Sequence, residues 1–296
     1  MVAGVSGSLG RFLAQQLISA KHEVIGISRT NPNISGLTFI SHDLRNPILL
    51  QVLRDALVIN AAAVTRDGFS KKILQANKAI AGNCLGISEG PQILVSSSSV
   101  YDLSKPTNNA EVSDANGQYP FLNSYSRSKF ESELLYNDGH HTSIVLRPHA
   151  LIGPGDGTLL PRLRKAIRGG RLFLPSGGTA RHEFTSFQNF SSAVELAIRK
   201  LENGWTGKLT LNVSDGISTS IADAIRTSLK PERVEIKSIP VSTALAIGRL
   251  SEVLSLPGDE PKISRYAVSQ LAYDRSYDLE PTKKILGYDP TKNPAF

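Results

Sequence analysis

The stretch Gly4-Val5-Ser6-Gly7-Ser8-Leu9-Gly10 decides the fold, because it sets three glycines between a short apolar run, Val2–Ala3, and a segment of helical spacing at 11–20. Glycines spaced this way permit a tight turn, close approach of backbone to a pyrophosphate, and tight packing of the helix that follows. That helix then offers its first N–H groups and a partial positive charge to an anion. The same spacing occurs in ordinary turns, so the flanking chain carries the weight of the reading. Working outward, β-rich runs at 23–28 (EVIGIS), 37–40, 57–61 (LVINA), 93–96 and 143–147 alternate with helical patterns at 71–85 and 125–135. Strand, helix and strand in repetition predict an α/β fold, a doubly wound parallel sheet with helices on both faces and ligands at the carboxyl ends of the strands. Only Met1, Val2 and Ala3 precede Gly4. The first strand is therefore expected to be unusually short, as though its start were truncated.

After Gly153 the alternation loosens. Turn clusters stand at 153–157 (GPGDG) and 175–179 (PSGGT), helices are expected at 160–168, 190–202 and 221–229, and a strand at 208–213. The division expected is a dinucleotide-binding core over 1–150 and mainly a substrate lobe over 151–296, with some segments returning to the core. The 296 residues, 40% of them hydrophobic, suffice for a sizeable buried core and exclude global disorder. The single cysteine, Cys84, excludes an internal disulfide framework and a cysteine-based metal cluster, and a reducing cytoplasm is the expected setting. No metal is expected. No stretch reaches 18 consecutive apolar residues, so a membrane span is not expected. The run 241–256 (VSTALAIGRLSEVLSL) reads either as a helix lying on a membrane or, given Arg249 and Glu252 within it, as a helix packed on the main body, the reading preferred here. A net charge of +7 suits handling of phosphate-bearing small molecules. The densest basic run, Arg162, Arg164, Lys165, Arg168 and Arg171, lacks interleaved aromatics, so it reads as a solvated helix face and not as a nucleic-acid site.

The second strand ends in Ser28 and Arg29, where an acidic residue would hold the ribose hydroxyls of NAD and repel the extra phosphate of NADP. A hydroxyl and a guanidinium there favour NADP over NAD, although a surface arginine after a strand gives the same letters. Tyr125-Ser126-Arg127-Ser128-Lys129 forms YxxxK, which on a helix places both side chains on one face. An ammonium beside the phenol favours phenolate and tunes tyrosine, with an ordinary pKa of about 10, toward acid–base work. The same spacing also marks plain helix faces. Ser96, Ser97, Ser98 and Ser99 close the fifth strand with hydroxyls where a ligand belongs.

These motifs, with HDL at 42–44, NAAA at 60–63, VSSSSVY at 95–101, LRPHALIGPGD at 146–156 and YDLEPTKKILGYDP at 277–290, resemble the extended short-chain dehydrogenase/reductases, the NAD-dependent epimerase/dehydratase family. The resemblance covers nearly the whole chain. It implies a Rossmann core with a smaller C-terminal substrate lobe, Tyr125 as acid–base, and Lys129 as its tuner and ribose ligand. Ser97 becomes the serine on the reacting oxygen, with Ser96 and Ser98 as alternatives. The cofactor would then lie against Gly4, Gly7, Ser8, Leu9, Gly10, Ser28, Arg29, Asp43, Leu44, Ala61, Ala62, Ala63, Tyr125, Lys129 and Pro148. Ser98, His149, Arg181 and His182 are the candidate substrate contacts, and Asn77 reads equally as a site asparagine or a helix-packing amide. Ser97-Ser98-Ser99 replaces the threonine-aspartate-glutamate of sugar dehydratases, which argues against dehydration. Parts of the chain look like 3β-hydroxysteroid-type dehydrogenases and parts like 4-keto-sugar reductases, and both imply ketone/alcohol chemistry. A nucleotide-sugar epimerase and a non-catalytic NADP-binding sensor are the alternatives. The resemblance also implies a homodimer through the helices that include Tyr125.

Overall fold

The computed structural model describes residues 1–48, 53–155, 157, 159–229, 234–256, 259–290 and 294–295. Asp156 of the LRPHALIGPGD motif lies outside the described residues. Seven strands form the central sheet: β1 (Val2–Ala3), β2 (Val24–Ser28), β3 (Leu37–Ser41), β4 (Val58–Asn60), β5 (Gln92–Val95), β7 (Ser143–Pro148) and β12 (Lys208–Val213). Their order is β12-β7-β5-β4-β1-β2-β3 and every pairing is parallel. The strand order reverses at β1, so the loops after β1 and β4 open a crevice at the carboxyl edge of the sheet.

Short as it is, β1 lies at the centre of the sheet. Val2 pairs with Gly26 on one side and Ile59 on the other, and both its residues are fully buried. Helices α1 (Ser8–Ser19) and α5 (Phe187–Glu202) cover one face through Leu13, Ala14, Leu17, Phe190, Val194 and Ala197. On the other face lie α2 (Lys71–Leu85) and α3 (Ser124–Asp138), which meet the sheet through Ile80, Cys84 and Tyr136. Such a parallel sheet needs apolar cover on both sides, and these buried side chains supply it. Strand β12, at the edge of this sheet, and the helix α9 (Glu280–Leu286), through Leu286, also belong to this core although they lie in the second half of the sequence.

A second core gathers Leu163 of α4 (Leu159–Ala166), Leu172 and Leu174 of β9 (Arg171–Pro175), and Ile221, Ala224 and Ile225 of α6 (Ile221–Ser228). Strand β9 pairs in parallel with β14 (Glu235–Ile239). A four-stranded sheet, β13 (Ser218–Ser220), β10 (Arg181–Glu183), β15 (Arg275–Tyr277) and β6 (Thr107–Ala110), joins this part to the core, and the two-residue strands β8 (Leu151–Ile152) and β11 (Thr185–Ser186) pair beside it.

The run 241–256 is helical as α7 (Val241–Leu254), followed by α8 (Arg265–Ala272). Its packing is narrower than expected. Only Ala244 and Gly248 of α7 are buried, and a Cβ on Gly248 would stand 3.1 Å from the backbone of Ser264 and Arg265. Leu250, Val253 and Leu254 are 59%, 75% and 74% exposed. Small residues therefore seat α7 while its large apolar residues face outward. Among the described residues no helix is long and apolar enough to cross a membrane.

Candidate active site

The glycine turn works by closeness. Gly10 packs on the carbonyl of Gly4, so a Cβ there would stand 2.2 Å from that oxygen. Gly4 has φ +89°, and its own Cβ would meet the Ala61–Ala62 backbone at 2.9–3.1 Å. Gly7 is the N-cap of α1, and no side chain caps that helix, leaving its first turn facing the crevice with the donors an anion needs. Ser8 instead donates its hydroxyl to the Gly155 carbonyl at 2.6 Å, tying the turn to the loop after β8. At the end of β2 the Ser28 hydroxyl donates to the Thr30 carbonyl, while Arg29 is exposed. Asp43 is held by Arg45, whose guanidinium brings its carboxyl down to about 2; the Arg29 charge adds to this. The residues present thus fit a dinucleotide: a side-chain-free cradle, an uncapped helix start, and no acid at the tip of β2.

Asn77 stitches the next wall. Its Oδ1 accepts from the Val64 N–H at 2.7 Å, and its Nδ2 donates to the Val64 carbonyl and to the Ser128 hydroxyl. A buried amide on α2 therefore fixes the loop after β4 and α3 together, which is the packing reading of that residue.

The four consecutive serines have four different surroundings. Ser96 donates to Glu133 and Ser98 to Nδ1 of His149 at 2.8 Å. Ser99, among the described residues, has no hydrogen-bond partner for its hydroxyl. Ser97 caps the short helical turn at 98–100 by accepting from the Ser99 N–H, and its side chain holds the Tyr125 phenol down. Of the serine alternatives, Ser97 is the one that bears on the phenol. Helix α3 begins one residue before Tyr125 because Asn123 caps it, accepting from the Ser126 N–H at 2.8 Å.

Electrostatics at Tyr125 depart from the sequence-based picture. Burial pushes the phenol up, while the Ser97 hydrogen bond and the positive charge of Arg162 hold it down. Lys129 instead donates its ammonium to the Val95 carbonyl at 2.7 Å. Burial lowers Lys129 to about 8, against the opposing charge of Glu133. Glu133 in turn forms a buried bidentate pair with Arg147, whose Nη1 reaches the Tyr101 hydroxyl at 3.2 Å. Among the described residues the cation whose charge lowers the phenol is thus Arg162, from the run expected to be a solvated face. Its Nη2 donates to the Thr65 carbonyl at 3.1 Å and to Glu260 at 2.8 Å. Burial pushes the phenol of Tyr266 on α8 up, and the Tyr125 charge adds to this while the Arg162 charge opposes it. Neither Arg162, Glu260 nor Tyr266 carries a local sequence signal, because each is brought in from another part of the chain.

The histidine pair lies in a closed network. His182 Nε2 donates to the Tyr273 carbonyl at 3.1 Å, an acceptor only, so His182 Nδ1 must accept. It accepts from His149 Nε2 at 2.9 Å, leaving His149 Nδ1 as acceptor for Ser98 and the Tyr277 hydroxyl. All four ring nitrogens are taken up and both residues are 2% exposed. Burial holds His149 well below the ordinary range and His182 down to about 3, and the Arg275 charge deepens both shifts. They brace β7, β10 and β15 against one another through bonds inside the fold. Arg181 is exposed and donates to Ser218 and, from its backbone, to Asp274. Pro148 is buried at the end of β7, beside Val213 of β12.

A parallel sheet reversing at β1, with a side-chain-free turn at its carboxyl edge and a serine–tyrosine pair across the crevice, defines a nicotinamide dinucleotide-binding oxidoreductase. The sequence of residues 1–214 matches the NAD dependent epimerase/dehydratase family, and the chain belongs to that family. It is 29% identical, over 98% of its length and 94% of the relative's, to 2-alkyl-3-oxoalkanoate reductase of Stenotrophomonas maltophilia. It is 28% identical to 3beta-hydroxysteroid-dehydrogenase/decarboxylase isoform 1 of Arabidopsis thaliana, over 94% of this chain and 69% of that one. Among solved structures the fold is similar to MoeE5 in complex with UDP-glucose and NAD, with TM-score 0.69, 18% identity and coverage of 97% and 91%. It is also similar to UDP-glucuronic acid 4-epimerase from Bacillus cereus in complex with NAD, with TM-score 0.68, 20% identity and coverage of 99% and 93%.

Proposed function

We propose that the chain interconverts a ketone and a secondary alcohol at Tyr125, with NADP as the favoured cofactor. The observation that carries this reading is the placement of Ser97 just past the carboxyl end of β5 and of Tyr125 in the first turn of α3, with the Ser97 side chain acting on the phenol. In reduction, Tyr125 gives its phenolic proton to the carbonyl oxygen while Ser97 holds that oxygen by hydrogen bond. When bound, the dinucleotide supplies the hydride that the carbonyl carbon accepts, and it takes that hydride back in the reverse direction. Gly4, Gly7, Ser8, Leu9 and Gly10 would hold the pyrophosphate, Ser28 and Arg29 the adenine ribose and its phosphate, Asp43 and Leu44 the adenine. Ala61, Ala62, Ala63 and Pro148 would line the rest, with Lys129 on the nicotinamide ribose.

The relatives whose names specify chemistry are reductases or dehydrogenases acting at a 3-oxo or 3-hydroxy carbon, which supports ketone/alcohol turnover over epimerisation. The lone buried thiol of Cys84 suits a cytoplasmic setting. A homodimer through α2 and α3 is part of the proposal, and light scattering tests it.

The test of the reaction is coenzyme consumption. The purified chain is given ketone substrates with NADPH and NADH side by side. The expected outcome is stoichiometric loss of coenzyme, faster with NADPH and with Arg29→Ala erasing the difference. Interconversion of sugar nucleotides without net coenzyme loss would replace the reductase reading with the epimerase one.

A further inference from the structure

Two short loops meet on the side of the sheet opposite the crevice. Strands β5 and β7 pair in parallel with Gln92 beside Ser143, so the segments leading into them lie side by side at their amino ends. Glu89 stands three residues before Gln92, and His140 three before Ser143. The pairing thus brings a carboxylate to two consecutive imidazoles, His140 and His141, although 51 positions separate Glu89 from His140 along the chain. Both backbones are tied in place. The Glu89 N–H donates to the Arg54 carbonyl at 2.7 Å, and the Ser88 hydroxyl donates to the Ala56 carbonyl at 2.6 Å while accepting from the Gly90 N–H at 2.9 Å. On the other loop, Lys208 donates to the His141 carbonyl at 2.6 Å, and the Gln92 N–H donates to the Thr142 carbonyl at 2.9 Å.

We propose that Glu89, His140 and His141 bind one transition-metal dication of the zinc class, with water completing its shell. One nitrogen of each ring and one Glu89 oxygen lie within 4.8 Å of one another, and His140 Nε2 is 3.1 Å from Glu89 Oε2. The two rings stand 4.0 Å apart between centroids. His141 is 7% exposed, and its Nδ1, shut off from solvent, has no hydrogen-bond partner among the described residues, so this buried ring has a nitrogen to give. In a tetrahedral shell with bonds of about 2.0–2.2 Å, neighbouring ligand atoms stand roughly 3.3 Å apart. The His140–Glu89 pair is already near that spacing, and both side chains, 76% and 67% exposed, can swing the remaining distance toward His141. Two imidazoles with one carboxylate suit zinc and its neighbours, whereas magnesium and calcium take oxygen ligands. The surroundings favour a cation as well. Helices α2 and α3 both end here, at Leu85 and Asp138, and the carboxyl end of a helix carries partial negative charge. Lys208, the nearby cation, spends its ammonium on the carbonyls of Tyr136 and His141. Tyr125 and His140 lie at opposite ends of α3, about 20 Å apart by the rise of a helix. The ion therefore clips the loops before β5 and β7 together and takes no part in the chemistry at the phenol.

The experiment titrates zinc chloride into the full chain, carrying no histidine tag and freed of chelator, by calorimetry, with magnesium chloride as the control. It is repeated on Glu89→Gln, His140→Ala and His141→Asn. The expected result is one zinc ion per chain at micromolar concentration and no binding of magnesium. Each variant should lose affinity by about tenfold or more, at least the cost of losing a group that merely supports a ligand. Thermal melts give a second readout, since an ion bound only by the native state raises the melting temperature. Zinc should raise it in wild type and leave it in place in E89Q and H140A. Those two side chains are exposed, so both variants fold and decide the matter even where His141→Asn does not. Zinc held with wild-type affinity by both E89Q and H140A puts the ion elsewhere, as at the His22–Glu195 pair, and overturns the proposal. Binding confined to millimolar zinc, an adventitious ion only, overturns it too.

Discussion

Lys129 carries an ammonium into a site closed to water, and burial lowers it to about 8. The unfolded lysine keeps its proton to about 10.5, so between the two values the unfolded state binds more protons and stability rises with pH. Below about 8 the full penalty remains, on the order of 3 kcal/mol. Under the proposed function this cost is offset by the role of Lys129 at the nicotinamide ribose. Lys129→Met is therefore expected to raise the melting temperature at pH 7 while reducing turnover at least about a hundredfold; thermal melts and steady-state rates check both halves. The histidine pair acts in acid. His149 and His182 are neutral in the fold, and the unfolded residues take up protons below about 6.5, so stability is full above that pH and falls as pH drops toward 3. Each histidine costs about 1.4 kcal/mol per pH unit across that window. Urea unfolding at pH 7 and pH 5 should show a drop of about 4 kcal/mol, of which the double change to leucine removes most.

At the scale of elements, much of the fold was legible where the pattern is local. Helix α2 was expected over 71–85 and spans Lys71–Leu85, and the strand expected at 208–213 is β12. Both depend on periodic apolar residues that the chain itself displays. Helix α5 begins at Phe187, three residues earlier than expected, because Ser186 caps it by accepting from the Asn189 N–H. Strands β9 and β14 escaped the reading because they pair with each other across about sixty residues, with mixed polarity. The glycine turn was legible, and the structure adds its mechanical reason. Gly10→Ala forces a methyl 2.2 Å from the Gly4 carbonyl, so either the helix or the turn must shift. The expected result is a destabilised chain whose melting temperature no longer rises with NADP. A normal ligand-induced shift in Gly10→Ala would contradict that role for the turn.

Across the whole molecule, the candidate site is assembled from segments that no local pattern connects. Tyr125 and Ser97 were readable because each sits in a short motif next to an element of the sheet. Arg162 was not, because its partners Thr65 and Glu260 lie 97 and 98 residues away and its neighbours on α4 spell an ordinary basic face. Nor were the inward-facing, mutually satisfied roles of His149 and His182 readable, since a histidine's letter does not reveal which carbonyl it will meet. The fold ties the glycine turn of the first half to the loop after β8 and brings an arginine from the second half onto the loop after β4. The most direct test replaces that phenol alone: Tyr125→Phe, compared with wild type by calorimetric titration with NADPH and by ketone turnover. The expected result is coenzyme binding unchanged within about threefold and kcat/KM lower by about 10²–10⁴, the range spanned by a lost general acid. Turnover retained in Tyr125→Phe would contradict the assignment of the proton to that residue, and the reaction would have to be sought elsewhere on the crevice.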